Sequence, residues 1–398
     1  MARFASLSRR AEPRRASVVG AGSFGTAVAI LLERAGLRTT LLCRTPEQVE
    51  RILTAGENEH YLPGFPLPEA VKVRALGNRD DQFHRADMVF LAVPSSGIAG
   101  ALSEVVRQGV TRRADVISLA KGLVPPDGTP PTVALLREFG SERVGCVGGP
   151  SHAREMVEYG AGLVAASQSV RLADRLVTVF RKAGLVCEAS SDPVGVELAG
   201  CAKNAAALAA GATEAQGLNA AGMAAADIFT EVLALAAREG GEAATFVGRA
   251  GTGDLVATAL APRSRNRSAG ELLAQGLPAA EIPIRLGQAC EALETVPLLA
   301  RAARRDGVAA PTLSALSRLI DGSLPLDDWV ALVRVRQPEP TRPAGRLGTW
   351  FDRFRHRLAS AIRGKPGRRP RRAALARRAG EPAVGPGAAG PQAGSVSE

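Results

Sequence analysis

One short segment restricts what this chain can fold into more than any other. Gly20-Ala21-Gly22-Ser23-Phe24-Gly25 reads G-x-G-x-x-G, follows the apolar run Ser17–Val19 and opens the helical pattern Thr26–Ala35. Each glycine has a physical task in that strand–turn–helix setting. Gly20 takes the tight turn, Gly22 lets the backbone approach a pyrophosphate, and Gly25 lets helix and strand pack closely. The helix N-terminus then faces the anion, and Ser23 and Phe24 join the three glycines as candidate cofactor-binding residues. Without its flanks the motif would be a plain glycine turn; with them it reads as a dinucleotide site.

The same rhythm continues. Thr39–Cys43, Met88–Val93 and Val116–Leu119 are apolar runs too short for helices, separated by helical patterns. That implies a parallel sheet with crossover connections. An NAD-selective site usually carries Asp or Glu about 20 residues after the glycines, where it holds the ribose hydroxyls. Here that point reads Leu42-Cys43-Arg44-Thr45, with no acid. Arg44 is either a partner for a 2′-phosphate or a solvated residue after a strand. The missing acid favours NADP, or use of both NADP and NAD, over strict NAD.

Near residue 192 the pattern changes. Asp192-Pro193 has the form of an N-cap followed by proline in the first turn, and helical patterns joined by Gly/Pro turns run from there to about Val335. The expected organisation is a disordered leader over 1–15, a Rossmann-type doubly wound α/β domain over 16–191, an all-α domain over 192–336 and a basic tail over 337–398. Pro, Gly, Ala and Arg dominate that tail, so most of it is expected to be disordered. Ser8-Arg9-Arg10 resembles the start of a twin-arginine signal, but a glycine fingerprint follows it instead of an apolar segment. No charge-free run of about 20 apolar residues is present.

Charge and cysteine usage exclude some function classes. The net charge is +11, but residues 337–398 hold thirteen basic and four acidic residues, and residues 1–16 hold five Arg and one Glu. The body between them is nearly neutral, so the basicity does not mark a dedicated nucleic-acid binder. The five cysteines are scattered and form no C-x-x-C pair. That argues against a disulfide framework or a metal site, and for a reducing cytoplasm.

Of 50 basic residues only five are Lys: Lys72, Lys121, Lys182, Lys203 and Lys365. In a chain that writes Arg almost everywhere, a surviving Lys is a candidate for a cation that has to release a proton, which Arg cannot do. Lys203 lies in Val196–Ala212, a segment that is apolar except for Glu197, Lys203 and Asn204. A solvated helix face would carry more charge. The favoured reading is a desolvated amine with a lowered pKa, able to pass a proton to a carbonyl oxygen as hydride reaches the carbon. Three further segments complete a candidate site. Ala120-Lys121-Gly122-Leu123 ends a strand at the ligand-binding edge of such a sheet, and Gly148-Gly149-Pro150-Ser151 is a rigid turn. Arg263-Ser264-Arg265-Asn266-Arg267 is either a phosphate-binding cluster or a solvated basic loop.

Taken together and in order, GAGSFGTA (Gly20–Ala27), AVPS (Ala92–Ser95), AKGL (Ala120–Leu123), GGPSHARE (Gly148–Glu155), GVELAGCAKN (Gly195–Asn204), AGTGDLVAT (Ala250–Thr258) and SRNR (Ser264–Arg267) resemble NAD(P)-dependent glycerol-3-phosphate dehydrogenases of bacterial type. The likeness covers about residues 16–335. It implies reversible reduction of dihydroxyacetone phosphate to sn-glycerol 3-phosphate for phospholipid synthesis, in a cytoplasmic homodimer that acts on a small phosphate ester and binds no nucleic acid. By the same resemblance Lys203 is the proton donor at the substrate C2 oxygen. Lys121 holds the substrate and faces the nicotinamide, and Asp254 sits beside Lys203. Gly149 and Ser151 touch the substrate, and Ser264, Arg265 and Asn266 take its phosphate. Arg265, Ala153, Ala289 and Glu291 join the glycine loop around the cofactor. Asp227, His152 and Ala120 depart from the family's usual pattern and mark a divergent member.

Two other readings compete: a hydroxyacid dehydrogenase of the same plan, and a non-catalytic NADP-binding regulator. SRNR and GTGDL speak against the first, and the retained Lys121, Lys203 and Asp254 against the second. In the tail, Leu347, Trp350, Phe351, Phe354, Leu358 and Ile362 fall at helical spacing with arginines opposite. Residues 346–362 thus fit an interfacial amphipathic helix, with weak contact to anionic membrane as the expected role. The other reading is a helix packed on its own domain or an unstructured extension.

Overall fold

Short runs of Val, Leu, Ile and Phe that cannot hide inside one helix are buried here as adjacent strands. The computed structural model describes residues 12–77, 83–261 and 264–335. Its eight strands are β1 (Arg15–Val19), β2 (Arg38–Cys43), β3 (Lys72–Ala75), β4 (Met88–Leu91), β5 (Asp115–Ser118), β6 (Val144–Gly148), β7 (Gly162–Ala166) and β8 (Val186–Ser190). They form one sheet in the order β3-β2-β1-β4-β5-β6-β7-β8. At its centre Val19 lies between Leu42 of β2 and Leu91 of β4. Helices cover both faces. Ser23–Arg34 and Val170–Lys182 pack on one, where Leu31, Leu172 and Phe180 share a core with Val18 and Phe90. Ile98–Arg107 and Pro131–Phe139 pack on the other, where Ile98, Val105 and Leu135 meet Val89 and Val116. This is the doubly wound arrangement the alternating runs imply.

The sheet departs from the all-parallel expectation at one place: β7 runs antiparallel to β6. Past Gly148 the chain reverses at Gly149, whose φ is +96°, and a Cβ there would come within 2.4 Å of the Gly162 carbonyl oxygen. The short Ala153–Glu158 helix then packs on the Ser23–Arg34 helix instead of crossing the sheet, so β7 comes back beside β6. β1 also starts at Arg15, within the stretch expected to be leader. Residues 1–11 and 336–398, and with them the 346–362 segment, lie outside the described residues.

Every described element from Pro193 onwards is helical. Asp192 caps the first helix: its carboxylate accepts from Gly195 N at 2.7 Å, Glu242 N at 2.8 Å and the Thr245 hydroxyl at 2.6 Å. The Pro193–Thr213 helix is buried along nearly all its length, and its small residues let neighbours approach to backbone contact. A Cβ on Gly211 would lie 2.0 Å from the Arg267 carbonyl oxygen, and one on Gly270 would lie 2.1 Å from that of Leu208. This fixes the Arg265–Ala274 helix against the Lys203 helix. The Leu218–Arg238 helix is long and apolar enough to resemble a membrane span, but it is partly buried in the protein. Its Glu231 carboxylate accepts from Thr312 N and Leu313 N at 3.0 and 2.7 Å, capping the Pro311–Ile320 helix.

Candidate active site

Two ammonium groups converge on one buried carboxylate where the sheet's carboxyl edge meets the helices. Lys121 reaches in from the loop after β5. Its Nζ is 2.6 Å from Asp254 Oδ2 and donates to the Gly149 carbonyl at 2.9 Å and to Ser151 Oγ at 3.2 Å. Its stem lies over Gly200, where a Cβ would be 3.3 Å from Lys121 Cγ, so the small residue on the helix admits the lysine. Lys203 rises from that helix, donates to Thr258 Oγ1 at 3.1 Å and sits 3.5 Å from Asp254 Oδ1. Asp254 is delivered by a local irregularity. The π-turn Arg249–Gly253 precedes the Asp254–Leu260 helix, and such turns recur where a helix must aim a functional side chain.

Burial and neighbouring charge act in opposite directions at Lys203 and at Asp254. Desolvation pushes the Lys203 ammonium down to about 8, against the pull of Asp254 and with the repulsion of Lys121. Burial alone would raise the Asp254 carboxyl, but Lys121 and Lys203 outweigh it and hold it below its usual value. Asp254 Oδ1 is buried and accepts no hydrogen bond in the protein. Glu291, at the start of the Glu291–Arg305 helix, is pushed upward by burial despite Arg265, Lys203 and Lys121.

A chain of amides ties this cluster to the SRNR segment. Asn204 Nδ2 donates to the Lys121 carbonyl at 3.1 Å, and Asn266 Nδ2 donates to Asn204 Oδ1 at 2.8 Å. Asn266 Oδ1 in turn accepts from Cys290 Sγ at 3.0 Å and Ala292 N at 3.4 Å. Ser264 Oγ caps the Arg265–Ala274 helix. Arg265 is exposed and donates to Gln288 Oε1 at 3.1 Å and the Ala289 carbonyl at 3.3 Å. Arg267 points elsewhere, toward Glu214 and Glu271, and Arg263 lies outside the described residues.

The glycine loop has the shape a pyrophosphate needs. Gly20 has φ +108°, and its Cβ would strike the Ala92 carbonyl oxygen at 2.6 Å; a Cβ on Gly25 would lie 1.9 Å from the Gly20 carbonyl oxygen. Gly22, by contrast, faces open space with no atom within 4 Å of a Cβ, and no side chain caps the helix it begins. An uncapped N-terminus beside open space fits a dinucleotide's phosphates. Ser23 Oγ is engaged with the Tyr61 carbonyl at 2.6 Å, while Phe24 packs on the apolar core. Arg44 is exposed just past β2.

Comparison with known proteins now decides the family. Residues 15–173 match the model for the N-terminus of NAD-dependent glycerol-3-phosphate dehydrogenase, and residues 192–331 match the model for its C-terminus. The chain belongs to the NAD-dependent glycerol-3-phosphate dehydrogenase family. Among relatives, the glycerol-3-phosphate dehydrogenase [NAD(P)+] of Pseudomonas fluorescens strain SBW25 is 34% identical over 336 residues, covering 82% of this chain and 96% of that one. Its counterpart from Deinococcus radiodurans is 36% identical over 340 residues, covering 82% and 97%. The crystal structure of glycerol-3-phosphate dehydrogenase from Coxiella burnetii superposes with a TM-score of 0.73 at 26% identity, covering 81% of this chain and 99% of that one.

As a glycerol-3-phosphate dehydrogenase the chain is an NAD(P)-dependent oxidoreductase. Its fold brings Lys121, Lys203, Asp254, Gly149 and Ser151 into one cluster and links Asn266 to it through Asn204. Three participants escaped the sequence reading. Asn58 donates to the Ala21 carbonyl at 3.0 Å and to Thr26 Oγ1 at 2.8 Å, and Gln48 donates to the same carbonyl at 2.9 Å. Both brace the glycine loop from more than 25 residues away, with no local signal. Thr258, four residues after Asp254, meets Lys203 and was findable from helical spacing alone.

Proposed function

We propose that this dehydrogenase catalyses the reversible reduction of dihydroxyacetone phosphate to sn-glycerol 3-phosphate, with Lys203 as the proton donor to the C2 oxygen. The observation that carries the reading is the Lys203–Asp254 pair. A buried ammonium, already weakened as a base by desolvation, stands beside a buried carboxylate oxygen that lacks a hydrogen bond. A substrate hydroxyl donating to Asp254 Oδ1 would satisfy that oxygen and set the neighbouring C2 oxygen within reach of Lys203. NAD(P)H, when bound, supplies the hydride. Lys121 orients the substrate together with Gly149 and Ser151 and keeps Asp254 ionised. Ser264, Arg265 and Asn266 receive the phosphate at a helix N-terminus. Arg265, Ala153, Ala289 and Glu291 would hold the cofactor together with the glycine loop. Arg44 would meet a 2′-phosphate, which favours NADP. Work in the cytoplasm as a homodimer, and weak membrane contact through the basic tail, complete the proposal.

The test is NADPH oxidation with dihydroxyacetone phosphate. Wild type is expected to turn over, and Lys203→Ala to lose about 10²–10⁴-fold in kcat, the usual worth of a positioned general acid. A wild-type enzyme indifferent to this ketone, yet active on short hydroxyacids, refutes the substrate.

A further inference from the structure

His152 stands at the mouth of the lysine–aspartate cluster and no step above uses it. It follows Ser151, whose Oγ is 3.2 Å from Lys121 Nζ, and its side chain is 32% exposed. It occupies the N-cap position of the Ala153–Glu158 helix without making a capping bond. The charged groups around it come from four elements. They are Lys203 on the Pro193–Thr213 helix, Asp254 on the Asp254–Leu260 helix, Lys121 on the loop after β5, and Glu155 on its own helix, 4.0 Å from Nδ1. Two of these are ammoniums, one is a buried carboxylate already shared between them, and the fourth, Glu155, is solvent-exposed and screened.

We propose that His152 is a substrate-sensing imidazole, neutral in the free site and protonated when an anionic phosphate ester enters, so that substrate binding takes up a proton. In the free site burial and then Lys203 hold the imidazolium below its ordinary range. A phosphate monoester brings a charge of about −1.5 to −2 at neutral pH. Placed in a pocket that holds two ammoniums against one carboxylate, it reverses the local field. His152 adjoins Ser151 of the turn that meets Lys121, which places it beside that charge. The imidazolium then adds a third cation beside Lys121 and Lys203, with two N–H groups able to donate. The inference rests on the phosphate-ester reading of the site.

The experiment uses the full chain with NADPH bound and sn-glycerol 3-phosphate as ligand, two reduced partners that cannot react. Calorimetry at pH 6.5 in buffers of different ionisation heat counts the protons. At that pH Lys203 is already an ammonium, so its titration contributes little. Wild type is expected to take up a larger fraction of a proton per site than both His152→Gln and His152→Phe. The sequence holds only four histidines, so NMR of the ring protons follows His152 in the unmutated protein, and its titration is expected to move to higher pH on ligand addition. Equal uptake by wild type and both variants, or a His152 titration unmoved by bound ligand, overturns the proposal. A chain that binds NADPH but not glycerol 3-phosphate overturns the substrate reading, and this inference with it.

Discussion

The pressure on single residues in this enzyme is greatest where charge is buried. Lys203 is the clearest case, because Arg replaces Lys almost everywhere else. Lys203→Arg keeps a cation in the site but removes the group that releases a proton. Substrate binding is expected to persist while kcat falls about as far as in Lys203→Ala; a variant with near-wild-type kcat would show that charge alone suffices. The titration near 8 gives a directional pH dependence. Ketone reduction needs the ammonium, so its rate is expected to fall as pH rises through about 8. Alcohol oxidation needs the amine and is expected to rise over the same range. Matched profiles in both directions locate the proton. A flat response in both would assign the proton to another group.

At the scale of elements, the buried interior of the Lys203 helix makes separate demands. Glu197, two turns before Lys203, accepts from Thr132 N at 3.1 and 3.2 Å and from the Thr132 hydroxyl. Burial pushes its carboxyl up to about 8, more than Thr132 and Ser118 pull it down. The folded protein therefore holds a proton through a window, from about 4.5 to about 8, in which the unfolded chain has released it. Stability is lost as pH rises across that window, by up to an order of 5 kcal/mol. Glu197→Gln keeps an acceptor for Thr132 and removes the titration. Urea unfolding at pH 5 and pH 8 is expected to show a smaller loss of stability in the variant, and equal losses would show that Glu197 ionises freely. The packing of this helix makes a second prediction. Gly270→Ala drives a methyl into the Leu208 carbonyl oxygen and Ala212 N. It is expected to cost about 1–3 kcal/mol as overpacking and to loosen Asn266 from Asn204, raising KM for the phosphate ester; circular-dichroism melts and initial rates report the two effects. Sequence patterns expose these elements unevenly. The glycine loop and the Asp192-Pro193 cap are local codes and were legible, as was the burial of Lys203 from the alanines around it. The antiparallel β7, the Asn58 and Gln48 braces and the Asn204–Asn266–Cys290 relay depend on partners far apart in the chain. No periodicity or spacing announces them.

At the scale of the whole molecule, net positive charge is gathered toward the two ends of the sequence. The described residues carry Lys121 and Lys203 within a nearly neutral body, while thirteen basic against four acidic residues fall in 337–398. Lys121, Lys203 and Asp254 all precede that segment in the chain, and its basic charge calls for an anionic partner of its own. Basic residues near an anionic surface contribute about 1 kcal/mol each and only within a Debye length, and the spacing of the apolar residues from Leu347 to Ile362 predicts a helical face suited to the interface. Full-length protein is therefore expected to pellet with phosphatidylserine-containing vesicles at low salt and to be released as ionic strength rises, since screening weakens this attraction. A chain ending at residue 336 is expected to stay in the supernatant while oxidising NADPH at the full-length rate. Equal pelleting of the two would place any membrane contact in the body. Equal absence of pelleting would leave the tail's charge without a lipid role, and a loss of turnover on truncation would tie the tail to the catalytic unit.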